Sequence, residues 1–320
     1  MHKERLKISV CIVTYNHAAY IRDCLSSVIA QQVDADLEVL VGDDCSSDET
    51  RLIIQSFSEK YPDVIYPVFH KENLGSTRNY QYLINAASGD YIAQLDGDDF
   101  WLPGKLHAQL NFLEKNRQCS SVYTNAIVIN NSGNLIAKFN GELPSQFDLN
   151  FLVKKGNFLN ASSVMYRAQC KHPVLNIQGP VLDFQAHILL ASQGDLGYIN
   201  KVMVSYRKNS TTSMIQSSRQ LVLELYWQAI LCASLLGVER KILFQGVRHF
   251  YRDLVFSALV RGKPKEIGIW REKIMKDCSW ISHTSLTFSL VLLLPEVFRQ
   301  VANLLASYLS KGGIRILHDR

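Results

Sequence analysis

Apolar positions in the first 116 residues fall into an alternating series. Ile8–Val13 is a short β-branched run, and Tyr20/Ile21, Cys24/Leu25 and Val28/Ile29 then recur at the helical period, so the spacing predicts a strand followed by a helix. Leu37–Val41 reads as a second buried strand. After Gly42-Asp43-Asp44, Ser46 and Ser47 are N-cap candidates, and Asp48 and Glu49 suit the first turn of a helix reaching about Lys60. Val64–Phe69 reads as a third strand, Ser76–Ala87 as a helix ended near Gly89, Tyr91–Leu95 as a fourth strand and Pro103–Asn116 as a further helix. Repeated strand–helix units predict an α/β fold, with a mainly parallel sheet covered by helices on both faces.

From Ser121 the period changes to short strands, with a hairpin signal at Asn131-Ser132-Gly133-Asn134 and a looser stretch over 140–160. A helix over about Asp183–Ser192 stops at Gly194 and leads to strand candidates Leu196–Ile199 and Val202–Tyr206. Beyond Ser213 the pattern is helical: Gln220–Leu236, Arg240–Val260, Lys265–Cys278 and an apolar stretch, Leu286–Leu309. The expected organisation is a domain over 1–213, with 1–117 and 118–213 as its two halves, and a helical C-terminal region over 214–320.

In sheets of this kind ligands bind at the carboxyl ends of the strands. Polar groups cluster there: Thr14-Tyr15-Asn16, Asp43-Asp44 and Asp96-Gly97-Asp98-Asp99. Three carboxylates in four residues repel one another unless a cation screens them. Mg²⁺ or Mn²⁺ suits such oxygen ligands and completes its shell with water and substrate phosphates, which points to a nucleotide diphosphate. An acidic turn capping the next helix is the structural alternative. An EF-hand loop fits less well, because Phe100-Trp101-Leu102 supplies none of the further ligands it needs. A phosphatase-type nucleophile belongs near the first strand, not the fourth.

The ordered set Val10–Asn16, Val41–Asp48, Asn73-Leu74-Gly75 with Arg78-Asn79, and Gly89–Ile92 running into Leu95–Asp99 resembles the family 2 glycosyltransferases of the GT-A fold. The resemblance covers residues 6–130 most strongly and 160–213 more weakly, and leaves the tail uncovered. It implies that Thr14, Tyr15 and Asn16 line the nucleoside pocket, that Asp44 accepts a hydrogen bond from the base, and that Arg78 faces the nucleotide. It further implies that Asp98 holds a divalent cation, Mn²⁺ or Mg²⁺, with Asp96 toward the ribose and the metal shell. Asp43 reads as a solvated turn residue. Gly179–Phe184, Gly194 and Tyr206-Arg207 look like the family's acceptor half, where an acidic residue is general base, and Asp183 stands at that position. Two departures stand out: Leu182-Asp183 replaces an acidic pair, leaving Asp183 no like-charged neighbour to raise its pKa, and Lys208-Asn209 replaces a His, a role open to Ser210, Thr211 or Lys208.

The implied reaction is inverting transfer of a sugar from a nucleotide-diphosphate donor, a UDP-sugar first, to a hydroxyl of a glycan or lipid-linked acceptor in surface-polysaccharide or glycan synthesis. A non-catalytic nucleotide-sugar or glycan binding protein of the same fold is the alternative. A nucleotidyltransferase needs a triphosphate-cradling loop after the first strand, and Asn16-His17-Ala18-Ala19 offers none. His17, His70, His107, His172 and His187 lack metal-ligand spacing and read as surface or packing residues.

Charge alters the picture of the tail alone. The net +5 divides into a slightly acidic 1–213 and a basic 214–320, without the motifs of nucleic-acid binding. Cys278–Pro295 is uncharged but too polar for a spanning helix. The tail is therefore expected to pack on the core, to form a dimer contact, or to lie on a membrane surface through Arg261, Lys263, Lys265, Arg271, Lys273 and Lys276. Seven widely spaced cysteines without a CxxC pair, and an N-terminal apolar run too short for a secretory segment, suggest a cytoplasmic location, peripheral to the membrane if the tail docks there.

Overall fold

Alternation in the first strand, β1 (Lys7–Thr14), sets up the architecture. Val10 and Ile12 enter one hydrophobic core and Cys11 enters the other, and all three are fully buried. A strand apolar on both faces needs cover on both. In the computed structural model, which describes residues 5–208, 219–282, 284, 286 and 315–318, β1 lies between β2 (Asp36–Asp43) and β4 (Tyr91–Asp96) and is parallel to both; β3 (Ile65–Phe69) extends the sheet parallel to β2. Helices α1 (Ile21–Ile29), α2 (Thr50–Lys60) and α4 (Lys105–Lys115) feed the core of Val10 and Ile12, and α3 (Ser76–Ala86) feeds that of Cys11.

On the other side of β4 the sheet continues through β9 (Met165–Arg167), antiparallel to β4, to β6 (Cys119–Ile129). The predicted hairpin joins β6 to the antiparallel β7 (Leu135–Asn140), with Gly133 at φ 81° and its N–H on the Asn130 carbonyl. The two strand candidates after Gly194 are one strand, β10 (Asp195–Arg207), parallel to β6, with bulges between Ile199 and Val204 where the alternation breaks. Short strands β5 (Phe100–Trp101) and β8 (Gln146–Phe147) pair with β10. The loose stretch also holds α5 (Leu149–Lys155), capped by Asp148, whose carboxylate accepts the Phe151 N–H.

The C-terminal helices are helices α8 (Arg219–Leu235), α9 (Arg240–Val260) and α10 (Lys265–Asp277), after α6 (His172–Leu175) and α7 (Asp183–Ala191). Trp227, Phe250 and Trp270 are buried in the same core as Phe184 and Ile188 of α7. The region is not helical throughout. Strand β11 (Arg315–His318) pairs with β7, Leu317 packs on the core and the His318 ring lies 4.7 Å from Phe139, so an edge strand's free backbone groups are covered by a later segment of the chain. Of the predicted apolar stretch Leu286–Leu309, only Leu286 falls within the described residues, among which no helix is long and apolar enough to cross a membrane.

Candidate active site

The parallel register sets Thr14 opposite Asp43 and Val13 opposite Asp96, so three loops leave the sheet side by side. The loop after β1 is bound to the loop after β2. Thr14 accepts the Asp44 N–H at 2.9 Å; Asn16, at φ 53°, donates its N–H to Ser46 Oγ at 2.9 Å and accepts the Ser47 N–H on Oδ1 at 2.8 Å. Tyr15, 38% exposed, stands out between them.

Asp44 is buried, with Oδ1 accepting the Leu74 N–H at 2.7 Å and Oδ2 the Gly75 N–H at 2.9 Å, which fixes the entry to α3. Asp43 is not the solvated turn residue expected from its place after a strand. It is fully buried, and Oδ2 pairs with Arg51 Nε at 2.5 Å and accepts the Ser46 N–H. Arg78 lies exposed in the first turn of α3, and its neighbour Asn79 turns inward to the Gly42 carbonyl and to His70.

The acidic loop divides by function. Asp99 is buried and committed: it accepts the Ser162 hydroxyl at 2.6 Å and the Arg207 N–H at 2.7 Å. Arg207, closing β10, donates Nε to the Asp98 carbonyl and Nη1 to those of Asn130 and Asn131, and its guanidinium lies 4.3 Å from the Tyr20 ring centroid. Asp96 and Asp98 have no Lys or Arg ion-pair partner among the described residues. Lost solvation raises the Asp96 carboxyl well above the usual range, and the charges of Asp183 and Asp98 add to it. Gly97 is required by space, since a Cβ there would lie 2.6 Å from Thr14 Oγ1 and 2.9 Å from His17 Nδ1.

His17 belongs to this cluster although its spacing gave no sign of it. The buried ring places Nδ1 3.2 Å from Thr14 Oγ1 and Nε2 4.0 Å from Asp98 Oδ2, and burial holds its pKa below the usual value, outweighing the pull of Asp98. The signal lay in topology, because the turn after β1 must pass the loop after β4.

Asp183 opens α7 at an accessible position, yet enough protein surrounds it that lost solvation raises its carboxyl to about 6. Absence of an acidic neighbour in sequence therefore does not leave it unshifted. Phe184 anchors this turn against Tyr226 of α8, with ring centroids 5.0 Å apart, and the Tyr226 hydroxyl accepts the Asn157 N–H at 3.1 Å. Lys208 is exposed at the end of β10; Ser210 and Thr211 lie outside the described residues. The arrangement thus brings the accessible carboxylate of Asp183 within electrostatic reach of Asp96 in the acidic loop.

The family model described as "Glycosyl transferase family 2" matches residues 9–169. The uncharacterized protein Rv1520 of Mycobacterium tuberculosis is 29% identical over 205 residues, 63% of this chain and 59% of the relative. The putative teichuronic acid biosynthesis glycosyltransferase TuaG of Bacillus subtilis is 36% identical over 132 residues, 41% of this chain and 51% of TuaG. The chain thus spans only about half to three-fifths of the length of these curated relatives. Among solved structures, S. aureus TarS 1–349 in complex with UDP-GlcNAc superposes with a TM-score of 0.54 at 16% identity, covering 82% of this chain and 89% of that one. That likeness is one of fold, and the fold is the GT-A-like α/β arrangement expected from the motifs.

Proposed function

Because the chain belongs to glycosyl transferase family 2, we propose that it is an inverting glycosyltransferase, moving a sugar from a nucleotide-diphosphate donor to an acceptor hydroxyl in surface-polysaccharide or glycan assembly. A UDP-sugar is the donor of choice, since TarS holds UDP-GlcNAc on the same fold. Residues 1–213 are the catalytic unit, with 1–117 binding the nucleotide and 118–213 the acceptor. Thr14, Tyr15, Asn16 and Asp44 form the nucleoside side and Arg78 the phosphate side.

The observation that carries this reading is the approach of Asp183, from the second half of the unit, to Asp96 in the acidic loop, close enough for its charge to act on that carboxyl. Asp183 takes the proton of the acceptor hydroxyl as its oxygen attacks the anomeric carbon; the bond to the diphosphate breaks on the opposite face, giving inversion. Asp98 and Asp96 fit a divalent cation, Mn²⁺ or Mg²⁺, by their oxygen donors and by having no Lys or Arg partner among the described residues. Among the described residues no group of three or more possible ligands converges, so diphosphate and water would have to supply the rest of such an ion's shell. Such an ion supplies stabilisation of the charge left on the diphosphate. His17 and Arg207 keep the Asp98 turn in place. The acceptor is a glycan or a lipid-linked glycan, and the protein works in the cytoplasm, peripherally at the membrane.

A panel of nucleotide sugars with Mn²⁺ present, read by nucleotide diphosphate release, tests the proposal. One UDP-sugar is expected to be hydrolysed slowly without acceptor, and Asp98→Ala to abolish it. Failure to bind any nucleotide-diphosphate sugar overturns the reading.

A further inference from the structure

The turn between α9 and α10 projects a seven-residue run, Leu259-Val260-Arg261-Gly262-Lys263-Pro264-Lys265, every residue of which is exposed. Leu259 is 55% exposed, Val260 64%, and Ile269, one turn into α10, 63%. These apolar side chains stand out from an ordered end. Gly262, at φ 67°, donates its N–H to Leu259, and Lys263 donates to Ala258, which together close α9 with its last carbonyls satisfied. These bonds order the backbone leaving α9, so the side chains of the tip are presented at fixed positions.

Charge along the exposed run itself is positive, and Glu266 follows directly after it. No acidic residue occurs between Asp253 and Glu266. Glu266 pairs with Arg261 at 2.6 Å, while Lys263 and Lys265 have no ion-pair partner among the described residues. Arg219, at the start of α8, lies within electrostatic reach of Arg261 and of the acids Glu266 and Asp253, so the excess positive charge of the tip rests on Lys263 and Lys265.

We propose that the α9–α10 tip is a docking surface for an anionic lipid bilayer, with Leu259, Val260 and Ile269 entering the headgroup boundary and Lys263 and Lys265 above it. Exposed apolar side chains followed closely in the chain by basic ones suit such a boundary, where both the area buried and each cation contribute. A two-fold contact between copies would set these cations against themselves, so charge complementarity favours the bilayer. Phe250, in the ring stack that reaches Phe184 beside Asp183, is ten residues before Val260, so the tip is roughly 15 Å along α9 from that stack. The inference deepens the peripheral location proposed above; the binding itself does not require the transferase reading.

The test is sedimentation of the full chain with phosphatidylcholine vesicles, with and without phosphatidylglycerol, alongside nucleotide-sugar hydrolysis by the same preparation. Binding is expected only with the anionic lipid, released at high salt. Lys263→Ala with Lys265→Ala should weaken it roughly 25-fold, at about fivefold per cation, and Leu259→Ser with Val260→Ser roughly tenfold or more. The exposed cations Lys60 and Lys154, changed to Ala, should leave it unmoved, and thermal melts confirm that each variant folds. Indifference of the wild type to phosphatidylglycerol, or unchanged binding by both tip variants, overturns the proposal. So does a dimer in light scattering that Leu259→Ser with Val260→Ser splits. Hydrolysis that persists in any of these cases leaves the transferase reading standing.

Discussion

Carboxylates lie at both ends of the parallel strands, and Glu38 at one end is held in the opposite way to Asp96 and Asp183 at the other. Where β1, β2 and β4 begin, Glu38 accepts the Ser9 hydroxyl at 2.5 Å, the Ser88 N–H at 3.0 Å and hydroxyl at 2.7 Å, and the Lys7 ammonium at 2.9 Å. Burial alone would raise its carboxyl, but these donors outweigh it and bring it down to about 2. Where β1, β2 and β4 end, lost solvation raises Asp96 and Asp183 with far fewer donors to oppose it. Glu38, held by four protein donors, serves the fold. A carboxylate left short of them keeps capacity for a proton, a cation or a substrate, and carries a cost in stability that the rest of the fold offsets.

Breaking the active end should give the largest effect. Asp183→Asn is expected to lower kcat for transfer by about 10²- to 10⁴-fold, with donor binding kept, as read by titration with the nucleotide sugar. The wild-type rate should rise with pH through about 6, because the base works only as carboxylate and its carboxyl is raised to that value. A pH profile flat from 5 to 8 would exclude Asp183 as the base.

Much of this contrast was legible in the chain. Buried β-branched runs, helical periodicity and acidic loops after strands have local causes, and they marked β1–β4, α1–α4 and the loop of Asp96 and Asp98. The N-cap reading failed, because α2 begins behind Glu49 with no side-chain cap from Ser46 or Ser47, and Asp183 was marked by the resemblance alone. The fates of neighbouring acids were not legible, because partners decide them. Asp43 meets Arg51 and Asp99 meets Ser162 and Arg207, and the latter two are far away in sequence. His17 and Tyr226 were hidden for the same reason. The short strands β5, β8, β9 and β11 carry too few residues for a period, and exist because sheet edges and neighbouring strands offer them backbone partners.

Disrupting the inert end should change stability and spare activity. Glu38→Gln leaves the donors of Lys7, Ser9 and Ser88 facing a neutral amide, for an expected loss of about 1–3 kcal/mol, measured by urea unfolding at pH 7. The sign in acid follows from the depressed value: Glu38 stabilises fully above its unfolded value of 4.5, and that contribution is lost as pH falls toward 2. The difference between wild type and Glu38→Gln should therefore shrink below pH 4, while kcat at neutral pH stays the same in both.

The smallest effect tests how the active end is held from behind. Besides stacking on Phe250, Tyr226 links the Phe184 ring beside Asp183 to the Asn157 N–H, accepted by its hydroxyl, which leads to the turn carrying Ser162, the partner of Asp99. Tyr226→Phe keeps the ring contact and removes the acceptor of one backbone N–H, at about 1 kcal/mol of stability. If the two segments share this hinge, kcat should fall about two- to fivefold with the donor KM unchanged, since small misplacement of a base is felt in the reacting geometry before it is felt in binding. A lower melting temperature with kcat unaltered would make Tyr226 a packing residue like Trp227. The base would then be held by α7 alone.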